Sequence, residues 1–231
     1  MRRLMVLLVT GLLAVVVPAT AAFAAARRIV LVRHGHYVED PAVDEKIGPP
    51  LSALGMAQAH VAGARLAGLG LHFDAFHVSP MQRARDTAAA IHASLPDSHF
   101  KVDADLAECL PPTRRKEVSA DTPVAEQAAC KAQLDRLFDR YFHPASGDAE
   151  QAELFVCHGD VIRYLVTRAL GVDTEAWLEM SVRHASLTEI LVEADGRFKV
   201  ISVGDDGFLP ASLLSGATGD VERGVSGEGE E

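Results

Sequence analysis

At 231 residues, with 48% hydrophobic and 23% charged residues, the chain has apolar material for one sizeable core and little for a second. Its formal net charge of −10 excludes a protein that works by broad attraction to nucleic acid or to an anionic membrane surface. Its three cysteines, Cys109, Cys130 and Cys157, fit no zinc-ligand spacing. From the N-terminus, Arg2 and Arg3 precede an apolar run over residues 4–17, Pro18 breaks it, and small residues follow to Ala26. These are the three parts of an export signal. The run of about 14 residues falls short of the roughly 20 that span a bilayer. Residues 1–26 are therefore expected to be a cleaved signal, with an uncleaved N-terminal membrane anchor as the alternative, and the protein to be periplasmic or secreted. An oxidising compartment would let Cys109 and Cys130 pair; buried, unpaired thiols are the competing expectation. Cys157 sits in an apolar run and is expected in the core.

Ile29, Val30, Leu31 and Val32 form a short β-branched run that predicts a buried strand. Ser52 opens a helix with Leu54, Ala57, Val61, Leu66 and Leu69 near one face, closed by Gly70. A second strand is predicted over residues 73–78, and a helix over 83–95, stopped by Pro96. Residues 103–122 carry two prolines and mixed charges and read as a loop. A helix with Pro123 at its start is predicted to Phe142. A strand over 154–157 and a helix over 161–170, ended near Gly171, come next. Residues 186–193 and 198–203 flank Ala194-Asp195-Gly196-Arg197, a hairpin signal. Alternating strands and helices predict a three-layer α/β sandwich over residues 27–211, with a mostly parallel central sheet, an antiparallel edge and helices on both faces. Residues 212–231 lack an apolar face and are expected to be a disordered acidic tail.

Three predicted strands end in chemistry. Arg33, His34, Gly35 and His36 follow the first, Ser79 to Thr87 the second, and His158, Gly159 and Asp160 the third. Ligands of open α/β sheets bind beyond the carboxyl ends of strands. A planar Arg83 near a helix N-terminus suits phosphate oxygens. Taken together these blocks resemble the histidine phosphatase superfamily, in its phosphoglycerate-mutase-like branch, over almost all of residues 27–211. Within that branch they most resemble the mitochondrial serine/threonine protein phosphatases. The stretch from Phe155 to Tyr164 and the stretch from Val203 to Pro210 support the resemblance.

The resemblance implies His34 as a nucleophile that becomes phosphohistidine, and Arg33, Arg83 and His158 as the phosphate pocket. It implies Glu108 as the proton donor, with Asp103, Asp105 and Glu117 as nearby competitors. Gly159 and His36 are added as substrate-binding candidates. His36 stands where the family more often has Glu or Gln, and a surface histidine is an equal reading. Asp40 stands where the branch's mutases carry Asn, and a carboxylate there would repel phosphate. The chemistry expected is hydrolysis of phosphate esters, of a phosphoprotein or of a small molecule such as a sugar phosphate, with no cofactor and no metal. No nucleic-acid partner is expected, a membrane only if the N-terminal segment is uncleaved, and self-association at most as a homodimer. A phosphoglycerate mutase and a catalytically silent phosphate-binding module are the alternatives. His60, His72, His77, His92, His99 and His143 show no metal spacing. His184 is expected in a plain loop more than in the pocket, and Trp177 in the core or an interface.

Overall fold

The computed structural model describes residues 24–216, so most of the expected export segment and residues 217–231 of the expected tail lie outside the described residues. Six strands form one mixed sheet: β1 (Arg27–Arg33), β2 (Ala75–Val78), β3 (Lys101–Val102), β4 (Gln151–Cys157), β5 (Leu187–Val192) and β6 (Phe198–Asp205), in the order β3-β2-β4-β1-β5-β6. β1, β2, β3 and β4 run parallel; β5 lies antiparallel to β1, and the β5–β6 hairpin closes that edge.

β1 and β4 are central and buried on both faces, which is why they read as continuous apolar runs. Ile29, Leu31, Phe155 and Cys157 turn toward α3 (Val124–Tyr141) and α4 (Gly159–Leu170). Val30, Val32, Leu154 and Val156 turn toward α1 (Ala53–Gly68) and α2 (Gln82–His92). Each such burial contributes about 1.5–3 kcal/mol, so the sheet's two faces hold both helical layers. The expected three-layer sandwich is the observed one.

Ser52 caps α1, its hydroxyl accepting from the Gly55 N–H at 3.1 Å. Gly171 ends α4 in the left-handed region at φ 66°. The packed face of α1 differs from the expectation. Of the five apolar residues predicted on it, only Leu66 is fully buried; Gly55, Ala59, Ala62 and Gly63 complete the face. Small residues win because α1 sits close on α2: a Cβ on Gly63 would come within 3.1 Å of the Ile91 backbone. α2 ends at His92, three residues before the predicted end, and β2 begins at Ala75 rather than residue 73. The predicted loop holds a single 3-10 turn, Ala104–Leu106, whose Leu106 is buried. β3 has only two residues, too short to leave a pattern in sequence. Residues 212–216 of the expected tail are packed: Gln58 donates to Leu213 O at 2.5 Å and to Ser215 Oγ at 2.8 Å. Among the described residues no helix is long and apolar enough to cross a membrane.

Candidate active site

Because β1, β2, β3 and β4 are parallel, their carboxyl ends share one edge of the sheet, and each delivers a polar group there. The chain leaving β1 presents Arg33 and His34, and His34 N–H donates to Cys157 O at 2.9 Å, which places it beside the end of β4. β4 runs into His158, the residue before α4. β2 runs into Ser79 and, one residue into α2, Arg83. The chain beyond β3 carries Glu108 back over the same edge.

His34 is 1% exposed. Its Nδ1 donates to the Gly35 carbonyl at 2.8 Å, and its Nε2 accepts from Arg83 Nε at 3.2 Å. These partners define the tautomer: the proton sits on Nδ1, and the Nε2 lone pair faces the pocket. Burial, followed by His158, Arg33, Arg83 and His184, holds the His34 pKa well below the ordinary 6.5. The ring is thus neutral and nucleophilic at neutral pH.

His158 lies with its ring centroid 5.0 Å from that of His34. Its Nε2 meets Ser79 Oγ at 2.7 Å, while Ser79 Oγ also accepts from Met81 N–H at 3.3 Å. Its Nδ1 is 3.1 Å from Glu108 Oε2, close enough for an ion pair but outside hydrogen-bond geometry. Glu108 Oε2 is also 3.5 Å from Arg83 Nη2, and Oε1 accepts from Asp160 N–H at 3.2 Å. Burial alone would raise the Glu108 pKa, but His158, Arg83 and Arg33 outweigh it and bring it down to about 2. Burial lowers the pKa of His158, against the pull of Glu108, so the pair titrates as a unit.

Arg33 donates through Nη1 to Val182 O at 2.8 Å, and its guanidinium lies against Gly159. A Cβ at position 159 would come within 3.3 Å of the guanidinium carbon, which explains why glycine follows His158. Arg83 stacks on Tyr37, with its guanidinium carbon 4.7 Å from the ring centre. The sequence candidates Arg33, His34, Arg83, Glu108, His158 and Gly159 therefore converge. Of Glu108's competitors, Asp103 and Asp105 pair instead with Arg140 and Arg136 of α3, and Glu117 pairs with Arg115. His36 stands one remove back, its Nδ1 2.8 Å from Ser52 Oγ and its ring 5.6 Å from that of His184.

Several neighbours escaped the sequence reading. His184 was expected in a plain loop, yet it is 2% exposed with its ring 5.4 Å from that of His34. Its isolated place before the hairpin carried no signal. Burial, then Arg33, His36 and Arg83, pull its pKa down to about 2. Ser79 and Thr87 lay inside the signature blocks, and Tyr37 just past the first of them, without an assigned role. Thr87 Oγ1 accepts from Gly35 N–H at 3.0 Å and ties α2 to the His34 loop. Gly48, at φ 69°, presses on Arg83, where a Cβ would meet Nη1 at 2.5 Å. Trp177 is core, donating to Pro112 O at 3.1 Å.

A cavity of about 390 Å³ opens beside the site, floored by Arg83 and Tyr37 and rimmed by Glu39, Asp40 and Glu45. His34, Glu108 and His158 each offer a ligand atom, all within 4.8 Å of one another, close enough to hold a metal ion. The two arginines among them argue for an anion instead: a divalent cation would face two guanidinium charges and displace Arg83 from His34 Nε2. The arrangement suits an oxyanion held by Arg33, Arg83 and His158 within reach of a neutral imidazole.

Comparison with known proteins gives the same direction. The pattern of the histidine phosphatase superfamily (branch 1) matches residues 29–206. The chain is 37% identical over 195 residues to the mitochondrial serine/threonine-protein phosphatase PGAM5 of Homo sapiens, over 83% of this chain and 66% of that protein. It is equally similar to Pgam5 of Drosophila grimshawi, over 82% of this chain and 67% of that protein. The chain thus spans about two thirds of the length of these relatives. Among solved structures, the phosphoglycerate mutase of Bacillus anthracis superposes with TM-score 0.60 at 18% identity, over 80% of this chain and 96% of that one. The mycobacterial glucosyl-3-phosphoglycerate phosphatase superposes with TM-score 0.56 at 22% identity, over 78% and 99%. These two likenesses establish the fold.

Proposed function

This chain belongs to the histidine phosphatase superfamily, branch 1, as a phosphatase-type enzyme, and from that premise we propose that it hydrolyses phosphate monoesters through a phosphohistidine at His34 without a metal. The observation that carries the reading is a single one. The His34 Nε2 lone pair faces Arg83, with His158 and Glu108 gathered around it.

The phosphoryl group lodges among Arg33, Arg83 and His158, whose charge matches the equatorial oxygens of the transition state. His34 Nε2 attacks phosphorus as the P–O ester bond breaks. The leaving alkoxide takes a proton from Glu108. Water then attacks the phosphohistidine, giving its proton to the Glu108 carboxylate, and phosphate and free His34 are released. With a resting pKa of about 2, Glu108 is ionised at neutral pH. Entry of a dianionic phosphate that engages the same cations removes what holds it low and adds repulsion, so the carboxyl gains its proton as substrate binds.

For the substrate we favour a phosphoprotein, supported by the 37% identity to relatives named serine/threonine-protein phosphatases. Sugar phosphates of the envelope are the competing small-molecule class. Asp40, an exposed carboxylate on the cavity rim, disfavours phosphoglycerate mutase chemistry. We place the enzyme outside the cytoplasm, a reading supported by the N-terminal signal pattern and by the Cys109–Cys130 disulfide.

The test is phosphate release from phosphopeptides, sugar phosphates and phosphoglycerate, in the presence of a chelator. Wild type is expected to work at full rate with chelator, and His34→Ala to lose more than about 10³-fold. Acid-labile phosphate should be trapped on wild type only. Loss of activity on chelation, or activity surviving His34→Ala, would overturn the reading.

A further inference from the structure

Glu108 sits on a loop with no regular structure, yet it must reach His158, Arg83 and the Asp160 N–H at once. Two anchors flank it, and both come from α3, one turn apart. On the N-terminal side, Gln133 Nε2 donates to Asp105 O at 3.1 Å and to Ala107 O at 2.9 Å. On the C-terminal side, the very next residue, Cys109, is bonded to Cys130 of α3 across a sequence separation of 21. Cys130 is buried in the α3 face of the core, so the tie is made to a rigid element. Beyond Cys109 the next hydrogen-bonded hold on the backbone is at Pro112, whose carbonyl accepts from Trp177. Without the disulfide, the backbone between Ala107 and Pro112 would lose its covalent anchor, and Glu108 would be held only through the contacts of its own carboxylate.

We propose that the Cys109–Cys130 disulfide positions the proton donor Glu108, so that it governs both proton transfers, to the leaving group and from the attacking water, and leaves attack by His34 on an activated ester largely untouched. This rests on the reading of Glu108 as proton donor. The physical reason is tolerance: general acid catalysis needs the carboxyl within hydrogen-bond reach of the leaving oxygen, and a loop released by one covalent tie samples positions outside it. The nucleophile and the phosphate pocket come from β1, α2 and α4 and do not depend on the bond. The bond is also reversible. A dithiol can give it two electrons and two protons, closing to a cyclic disulfide while Cys109 and Cys130 become thiols. Cys157 takes no part: it is buried, and burial raises its thiol pKa.

The experiment compares two monoesters with the full-length oxidised protein: a phosphoserine peptide, whose alkoxide needs a proton, and dinitrophenyl phosphate, whose phenolate does not. Reduction by dithiothreitol, and separately the Cys109→Ala/Cys130→Ala variant, should lower kcat on the phosphoserine peptide by about tenfold or more. On dinitrophenyl phosphate the pre-steady-state burst of phenolate, which reports attack by His34 without a proton donor, should keep its rate within about twofold, while steady turnover, which needs Glu108 to take the proton of water, should fall as on the peptide. Reoxidation should restore the wild type, and dithiothreitol should leave the double variant unchanged. An unchanged kcat on the peptide overturns the proposal, as does a loss in the dinitrophenolate burst rate equal to the loss on the peptide. If the double variant does not fold, reduction of the folded wild type decides alone. Failure of oxidised wild type on both esters is a different result and defeats the phosphatase reading itself.

Discussion

At the scale of single residues, the site is a set of charges arranged to keep the His34 imidazole neutral. His34 is buried and ringed by Arg33, Arg83, His158 and His184, and each of these disfavours its protonation. Ring-nitrogen NMR at pH 6 is therefore expected to find His34 neutral, with its proton on Nδ1, although an ordinary histidine would be largely protonated there. An imidazolium at that position would contradict the hydrogen bond that Nε2 accepts from Arg83. Ala185 holds a less visible role. It adopts φ 56°, a left-handed backbone that costs a residue with a Cβ about 1–2 kcal/mol. Its N–H reaches the carbonyls of Arg33 and His34 at 3.1 and 3.2 Å, which braces the nucleophile's backbone. Ala185→Gly should keep the activity and leave thermal stability equal or slightly higher. Ala185→Val should lower the melting temperature, because a β-branched side chain fits that backbone worst.

At the scale of elements, the close approach of α1 to the His34 loop is the feature most sensitive to substitution. A Cβ on Gly55 would sit 2.0 Å from His36 O, and one on Gly35 2.4 Å from Gly55 O. Both clashes are with backbone, so the strand end or the helix must shift. Gly55→Ala is expected to destabilise by about 1–3 kcal/mol, read as a lower denaturation midpoint, and to lower kcat by moving His34. Gly68→Ala, where a Cβ meets nothing, serves as the control. Most element positions were legible from patterns. β1 and β4 announced themselves as unbroken apolar runs, α1 by Ser52 at its start, α4 by Gly171 at its end, and the hairpin by Asp195-Gly196. The packed face of α1 was not, because hydrophobicity pointed to Leu54 and Val61 while close helix packing selected Gly55, Ala59 and Gly63. β3 was not legible either, since two residues carry no period.

At the scale of the whole molecule, acid stability follows from the same buried groups. His34, His158 and His184 have pKa values lowered by burial, so below the ordinary 6.5 the unfolded chain takes up protons that the native fold refuses. Glu108, at about 2 against an ordinary 4.5, adds stability above pH 4.5 that is lost as pH falls toward 2. Both effects have the same sign. The melting temperature is expected to drop steadily as pH is lowered from 7 to 5, and less steeply in a His184→Gln variant, which removes one of the three groups. A flat profile would mean that these histidines take up protons in the native state as readily as in the unfolded chain. The fold class and the order of the blocks around Arg33, Arg83 and His158 can be read along the chain, because apolar periodicity and short strand-end motifs are local properties. It takes the packed molecule to show that Glu108, rather than Asp103 or Asp105, meets His158, that His184 joins the pocket, and that Cys109 pairs with Cys130. Each of those depends on where a loop without periodicity is laid across the sheet edge, which is set by long-range packing.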